Sequence, residues 1–302
     1  MKTIPFSALV PDPAAVSRVF TGGVWLEGPC WLPRERRVRF SDVKASVVRD
    51  HDPATGETTV HRAESDHVNG RTVDLDGSVL ECCHGSRSVL RERDGVVTTV
   101  VDRIGEARLN APNDVVVDSH GAIWFTDPAY GLIFPEEGHG GRREYGDHWV
   151  FRLGADGALR VATTDVVEPN GLAFSPDESV LYVADSARVT RRGEGVLDRH
   201  HIRAFTVDGD RLKLGRDVAV VEPGVPDGIR VDERGNIWSS SEDAVIVFSP
   251  DGVELGRVPV PEKIGNLAFG GDGGSTLFIT ASSSLYALPT ATRDCRRASG
   301  RA

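Results

Sequence analysis

Six side chains of closely related chemistry recur along this 302-residue chain: Glu27, Asn69, Asn113, Asn170, Asp227 and Asn266. All six offer a carboxylate or carboxamide oxygen, a hard donor, and no Lys or Arg stands at an equivalent position to neutralise Glu27 and Asp227. A single Asn or Asp before a strand is an ordinary turn residue, so the weight lies in the repetition. Two carboxylates gathered among carboxamides away from water call for a cation. Donors that include neither thiolate nor imidazole favour Ca2+, with Mg2+, Mn2+, Zn2+ or Fe2+ as alternatives; zinc ordinarily asks for His or Cys. One such ion open to solvent polarises a bound carbonyl and lowers the pKa of a water, which makes hydrolysis the natural chemistry.

The elements that must bring these six together are read from what surrounds them. Each precedes an apolar run, a polar turn and a second apolar run, at intervals of roughly 40 to 57 residues, the spacing of propeller blades with insertions in two of them. In the third copy Val115 to Val117 and Ile123 to Phe125 flank the tight turn DSHG, a strand, hairpin and strand. VLRERDG, VFRLGADG, IRAFTVDGD and VIVFSPDG supply third strands ending in Asp-Gly turns. The expected fold is all-β: one six-bladed β-propeller over residues 1–288, with a central channel lined by the six lead residues and a metal site in it. The segment SRVFTGGVWL before Glu27 is strand-like and otherwise unpaired, so it should close the ring against the last blade. PTATRDCRRASGRA, residues 289–302, has little to bury and is expected to be a disordered tail.

Composition narrows the partners. With 33 Gly and 17 Pro the chain is punctuated as a β protein, and a formal net charge of −10 opposes nucleic acid or anionic lipid. No apolar stretch spans a membrane, and the N-terminal stretch does not read as a secretory signal. We therefore expect a cytoplasmic, monomeric protein whose partner is a small molecule. Cys30, Cys82, Cys83 and Cys295 contain no C-x-x-C pair and are read as free thiols. Gly-x-Ser-x-Gly is absent and no His-Asp pair accompanies Ser239 to Ser241, which argues against a serine hydrolase.

From about Phe20 to Leu288 the chain resembles the senescence marker protein / gluconolactonase / luciferin-regenerating enzyme family of six-bladed propellers, its gluconolactonase branch most of all. The resemblance rests on LEGPCW, RLNAPNDVVVDSHGAIWFTDPAYG, EPNGLAFSPDESVLYVADS and VPDGIRVDERGNIWSSSEDAVIVFSPDG, followed by LAFGG and LFITASSSLYAL. It implies a divalent metal held by Glu27, Asn170 and Asp227, with Asn113 against substrate or metal. It also implies a metal-dependent lactonase with Asp227 as general base and later proton donor to the leaving alkoxide. Asn113 and Asn170 can donate amide N–H groups to the oxyanion. The animal branch has Arg two positions before this Asn to hold a sugar-acid substrate, where the chain has Ala111, so that branch's substrate preference does not carry over.

Around that centre Asp114 reads as a supporting residue that caps a turn or touches substrate. His67 is a pocket candidate, and His84 in CCHG matches a His-Gly step of the gluconolactonase branch. The insertions GLIFPEEGHGGRREYGDHWV and RVTRRGEGVLDRHHI are candidate lids or surface excursions, and the His200–His201 pair is expected in solvent. Two rival readings remain: the same metal centre acting on a specialised biosynthetic intermediate or other ester, and a non-catalytic binding propeller whose ring is polar packing.

Overall fold

The computed structural model describes residues 4–296 and consists of six four-stranded antiparallel sheets and one short extra hairpin. The innermost strands are Leu26–Leu32, Val68–Val73, Val115–Val117, Pro169–Phe174, Ile229–Val231 and Ile264–Gly270, and each continues outward through three more. Every blade thus carries a fourth strand beyond the three legible in the repeats. The ring closes as expected: Ser17–Thr21 pairs antiparallel with Ser284–Pro289 as outermost strand of the last blade, Ser17 opposite Ala287 and Thr21 opposite Ser284. This joins the two ends of the chain in one sheet and covers an edge that would otherwise be free to aggregate.

The core lies between blades, because each sheet is apolar on both faces. Leu172, Phe174 and Leu181 of the fourth blade pack on Trp124 and Val150 of the third, and Trp238 of the fifth meets Phe269 of the sixth edge to face at 5.3 Å. Each such side chain buried contributes roughly 1.5 to 3 kcal/mol. The turn aspartates hold this packing from outside. Asp118 accepts from His120 and Ala122 backbone N–H with Oδ1 and from the Trp124 indole with Oδ2 at 2.9 Å. Asp232 does the same for Arg234, Asn236 and Trp238 in the fifth blade, so these acids serve hairpins and not ions.

Two sequence expectations change. The segment after Leu288 is packed as far as Arg296: Ala291 N–H donates to the Leu9 carbonyl, Cys295 N–H to that of Val231, and Thr292 is buried. Backbone hydrogen bonds to neighbouring strands hold it where side-chain hydrophobicity does not, and residues 297–302 lie outside the described residues. His200 is buried, not solvated, its Nδ1 donating to the Val221 carbonyl at 2.9 Å. The two insertions carry short helices, α1 at Tyr130–Ile133 and α2 at Arg188–Arg191. Among the described residues no helix is long and apolar enough to cross a membrane.

Candidate functional site

The six lead residues stand at one end of the innermost strands because strand pairing breaks there. The register between the first two strands shifts between Glu27 and Cys30, Val68 and Arg71, Pro169 and Leu172, and Ile264 and Asn266. Asn113 and Asp227 lie just ahead of their strands. A bulge frees a residue from the ladder and re-aims it. The glycine that follows most lead residues lets the next blade come close. Gly70 N–H donates to the Asn113 carbonyl at 2.8 Å, and Gly171 N–H to that of Asp227 at 3.0 Å. At Gly28, φ is +47° and a β-carbon would run into the Asn69 carbonyl.

Burial and mutual charge dominate the site. Glu27 is 2 % exposed and Asp227 is half-buried. Loss of hydration raises the Glu27 carboxyl well above the usual range and the charge of Asp227 raises it further; the Gly28 N–H, 2.9 Å from Oε2, opposes both. Asp227 is pushed up to about 7, first by burial; the Lys263 ammonium pulls it down, Glu137 pushes it up, and the Asn170 amide beside it favours the charged form. Lys263 itself lies over Trp25, 5.6 Å from the ring centre. The arginines one step along the inner strands are engaged elsewhere. Arg71 reaches Glu81 at 3.3 Å and the Gly28 carbonyl at 2.7 Å, and Arg230 reaches Asp114 at 3.4 Å. Among the described residues no ion pair within 4.0 Å neutralises Glu27 or Asp227.

The other sequence candidates are placed as follows. Asn170 stands beside Asp227. Asn113 is 5 % exposed and its side chain makes no hydrogen bond among the described residues, while its backbone N–H and carbonyl tie it to Thr126 and Gly70. Asp114 is fully buried, its Oδ1 on the Val115 N–H at 2.9 Å and its Oδ2 facing Arg230, so it joins blades three and five inside the channel. His67 is half-buried and held by the Val43 carbonyl at 2.9 Å, with His139 edge-on at 5.4 Å.

Residues outside the metal-holding and substrate-binding set expected from sequence also converge. His84 Nδ1 is 2.9 Å from the Glu137 carbonyl and Nε2 is 3.3 Å from the Asn69 amide nitrogen; the Asn69 Oδ1 is buried with no partner. The Tyr130 hydroxyl, also buried and unpartnered, lies close enough to Glu168 and Asp227 for their charges to raise its pKa, after burial. The Ser186 hydroxyl beside it is taken by the Pro226 carbonyl. Asn69 was legible as a ring position, whereas nothing local to Tyr130 or His84 marked their partners.

Two carboxylates without counter-ions, adjacent carboxamides and an orphaned amide oxygen fit a hard divalent cation. Among the described residues no cluster of three or more His, Cys, Asp or Glu side chains is placed to hold a metal, at the ring or elsewhere, so the ring's donor set is two carboxylates and carboxamides. Known proteins resemble the chain along most of its length. Residues 25–283 match the SMP-30/Gluconolactonase/LRE-like region. The gluconolactonase of Zymomonas mobilis is 32 % identical over 297 residues, covering 89 % of this chain and 79 % of its own. Pentonolactonase XacC of Haloferax volcanii is 31 % identical over 265 residues, 84 % and 80 % of the two chains. The solved structure of XC5397 from Xanthomonas campestris, a gluconolactonase, superposes with a TM-score of 0.86 at 37 % identity, over 94 % of this chain and 92 % of that one. A six-bladed propeller matched along nearly its whole length by sequence and by shape, the chain belongs to the SMP-30/gluconolactonase/LRE-like family.

Proposed function

We propose that this protein is a divalent-cation-dependent hydrolase that opens a lactone, a sugar lactone such as gluconolactone or a related cyclic ester, with Glu27, Asn170 and Asp227 as the residues that would hold the ion. The observation that carries the reading is the pair of crowded carboxylates, Glu27 and Asp227, left without an ionic partner at the mouth of the channel. The lactonases among its relatives support the reaction class. Ca2+ suits the oxygen-only donors best.

A bound divalent ion would supply carbonyl polarisation and a water of lowered pKa. The chain's own groups do the rest. Asp227 takes the proton of the attacking water as its oxygen bonds to the carbonyl carbon, and returns it to the ring oxygen as the carbon–oxygen bond of the lactone breaks. Its neighbour Asn170 keeps the carboxylate oriented. Asn113, whose amide is free of internal hydrogen bonds among the described residues, donates N–H to the developing oxyanion. Asp114 and Arg230 pair across the channel behind it.

The test is elemental analysis of the purified protein together with a pH-indicator screen of aldonolactones with and without chelator. Turnover lost on chelation and restored by Ca2+ or Mn2+ supports the proposal; full activity in chelator, or a metal-free protein that hydrolyses lactones, overturns it.

A further inference from the structure

The two insertions meet beside the ring and enclose a cleft of about 450 Å³ that the ring chemistry does not use. That volume lies within the usual range for a small-molecule site. One wall comes from α1 and the loop after it, with Ile133, Arg142, Arg143, Tyr145 and His148; Arg191 of α2 faces them from the fourth blade. Although acidic residues outnumber basic ones in the chain, 45 to 35, the lining includes no acidic side chain.

The guanidiniums are unevenly engaged. Arg143 pairs with Asp147 and has Nη1 3.4 Å from His148 Nε2. Arg191 Nη1 lies 3.6 Å from Glu194, but its Nε is buried with no hydrogen-bond partner. Arg142 has no ion pair among the described residues. A buried N–H without an acceptor is destabilising until a ligand satisfies it.

The cleft is mechanically tied to the ring. Glu168, fully buried two residues before Asn170, accepts from the Thr190 hydroxyl of α2 at 2.7 Å and has its other oxygen 3.1 Å from His148 Nδ1. That second oxygen makes no hydrogen bond among the described residues, and His148 Nδ1 donates to the neighbouring Val167 carbonyl at 2.8 Å, so Val167 and Glu168, adjacent in the chain, hold one wall each. Tyr130, at the ring-facing start of α1, follows the cleft residue Ala129, and α1 itself spans only about 6 Å. A ligand a few bonds long can therefore touch both places.

We propose that this cleft binds an anionic oxyacid group, a phosphate, sulfonate or carboxylate, carried at the far end of the lactone whose carbonyl lies at the ring. The inference rests on the reading of the ring as a lactone-opening centre and adds the substrate class. Guanidinium forks match such oxyanions in geometry and charge. In a protein of net charge −10, a local cationic cleft also steers an anionic substrate to this end of the channel.

The experiment compares kcat/KM for a neutral aldonolactone and for the same lactone bearing a 6-phosphate or 6-sulfonate, in wild type and in the Arg142→Ala/Arg191→Ala double variant. Calorimetric titrations with the 6-phosphorylated open-chain acid and with inorganic sulfate accompany it. We expect the anionic lactone to be favoured by about tenfold or more, the equivalent of one or two charge-assisted hydrogen bonds. The double variant should erase that ratio through KM, and added salt should compress it. A wild-type ratio of one or less, or a ratio unchanged in the variant, overturns the proposal. So does arginine-dependent binding of sulfate with no preference between the lactones, which would mark a free-anion site. If no lactone of either kind is turned over, it is the reading of the ring that fails. Binding of the phosphorylated acid, lost in the double variant, would then still support an anion cleft, and its absence would remove it.

Discussion

His84 stands between the third-blade insertion and the ring, its Nδ1 2.9 Å from the Glu137 carbonyl and its Nε2 3.3 Å from the amide nitrogen of Asn69. A carbonyl can only accept, so Nδ1 carries the proton and Nε2 must receive the Asn69 N–H. The amide is thereby oriented with its nitrogen toward His84, and its buried oxygen is left without a partner. A loop carbonyl, through one imidazole, decides which face of Asn69 the site presents.

That arrangement predicts an acid-sensitive stability. Burial holds His84 at about 4, below the ordinary histidine range, because the charged ring would lose hydration. With the folded value depressed, its contribution is fully present above the unfolded pKa of about 6.5 and is lost as pH falls through about 4; the shift corresponds to about 3 kcal/mol. Urea midpoints between pH 7 and pH 4 should fall more steeply for wild type than for His84→Gln. Parallel curves would rule out the histidine as the cause.

The ring carboxylates should trade stability for ion binding. Both have raised folded pKa values, so in metal-free protein near neutral pH their ionisation works against folding. Glu27→Gln/Asp227→Asn is expected to melt higher than wild type in chelator and to lose the rise in melting temperature that Ca2+ gives wild type. Asp227→Asn alone should lower kcat by about 10² to 10⁴. Retained turnover with metal bound would assign the base elsewhere.

Blades one and two are joined by a buried ion network distant in sequence. Arg39 holds Asp50 at 2.8 Å and Glu92 at 2.9 Å, and Glu92 also receives His61 and Arg62 at 2.8 Å. Burial alone would raise Glu92, but His61 and the two arginines outweigh it and hold the carboxyl at about 2. Its contribution is therefore full above the unfolded pKa of about 4.3 and disappears as pH falls through about 2. Glu92→Ala leaves Arg39 buried beside one acid and should cost about 3 to 5 kcal/mol in equilibrium unfolding at pH 7. A loss under about 1 kcal/mol would show the network to be dispensable.

Close approach at the ring makes its glycines unequal to others of similar backbone. Gly56, with φ of +76°, has open space where a β-carbon would go, whereas Gly28 abuts the Asn69 carbonyl. Gly56→Ala should cost about 1 kcal/mol from backbone strain alone. Gly28→Ala should cost several times more and blunt metal binding, because Glu27 moves with it. Equal costs in thermal melts would mean that neighbouring blades yield easily.

The lead residues show how far sequence reading reached. Glu27, Asn170 and Asp227 could be picked because each sits at the same phase of a repeat whose copies must stack around one axis. The N-terminal strand was legible for a related reason: it was the one strand without a partner in its own copy. His84 was named but its link to Asn69 was not, and His67, the histidine preferred as a pocket group, is held by the Val43 carbonyl. Asp114 was read as a turn cap or substrate contact; it does accept the Val115 N–H, and its pairing with Arg230, 116 positions away, was not legible.

Alternation of apolar and polar residues, turn chemistry and a recurring acidic or amide position were enough by themselves to determine a closed ring of β-blades with oxygen donors at its centre, because those signals act between residues a few positions apart. Only the tertiary structure decided that Val167 and Glu168 tie two insertions together, that arginines from different blades share a cleft, and that the stretch before Arg296 is pinned to the fifth blade. Hydrogen bonds and Coulomb interactions depend on separation in space, and the insertions carry no periodicity from which that separation could be read.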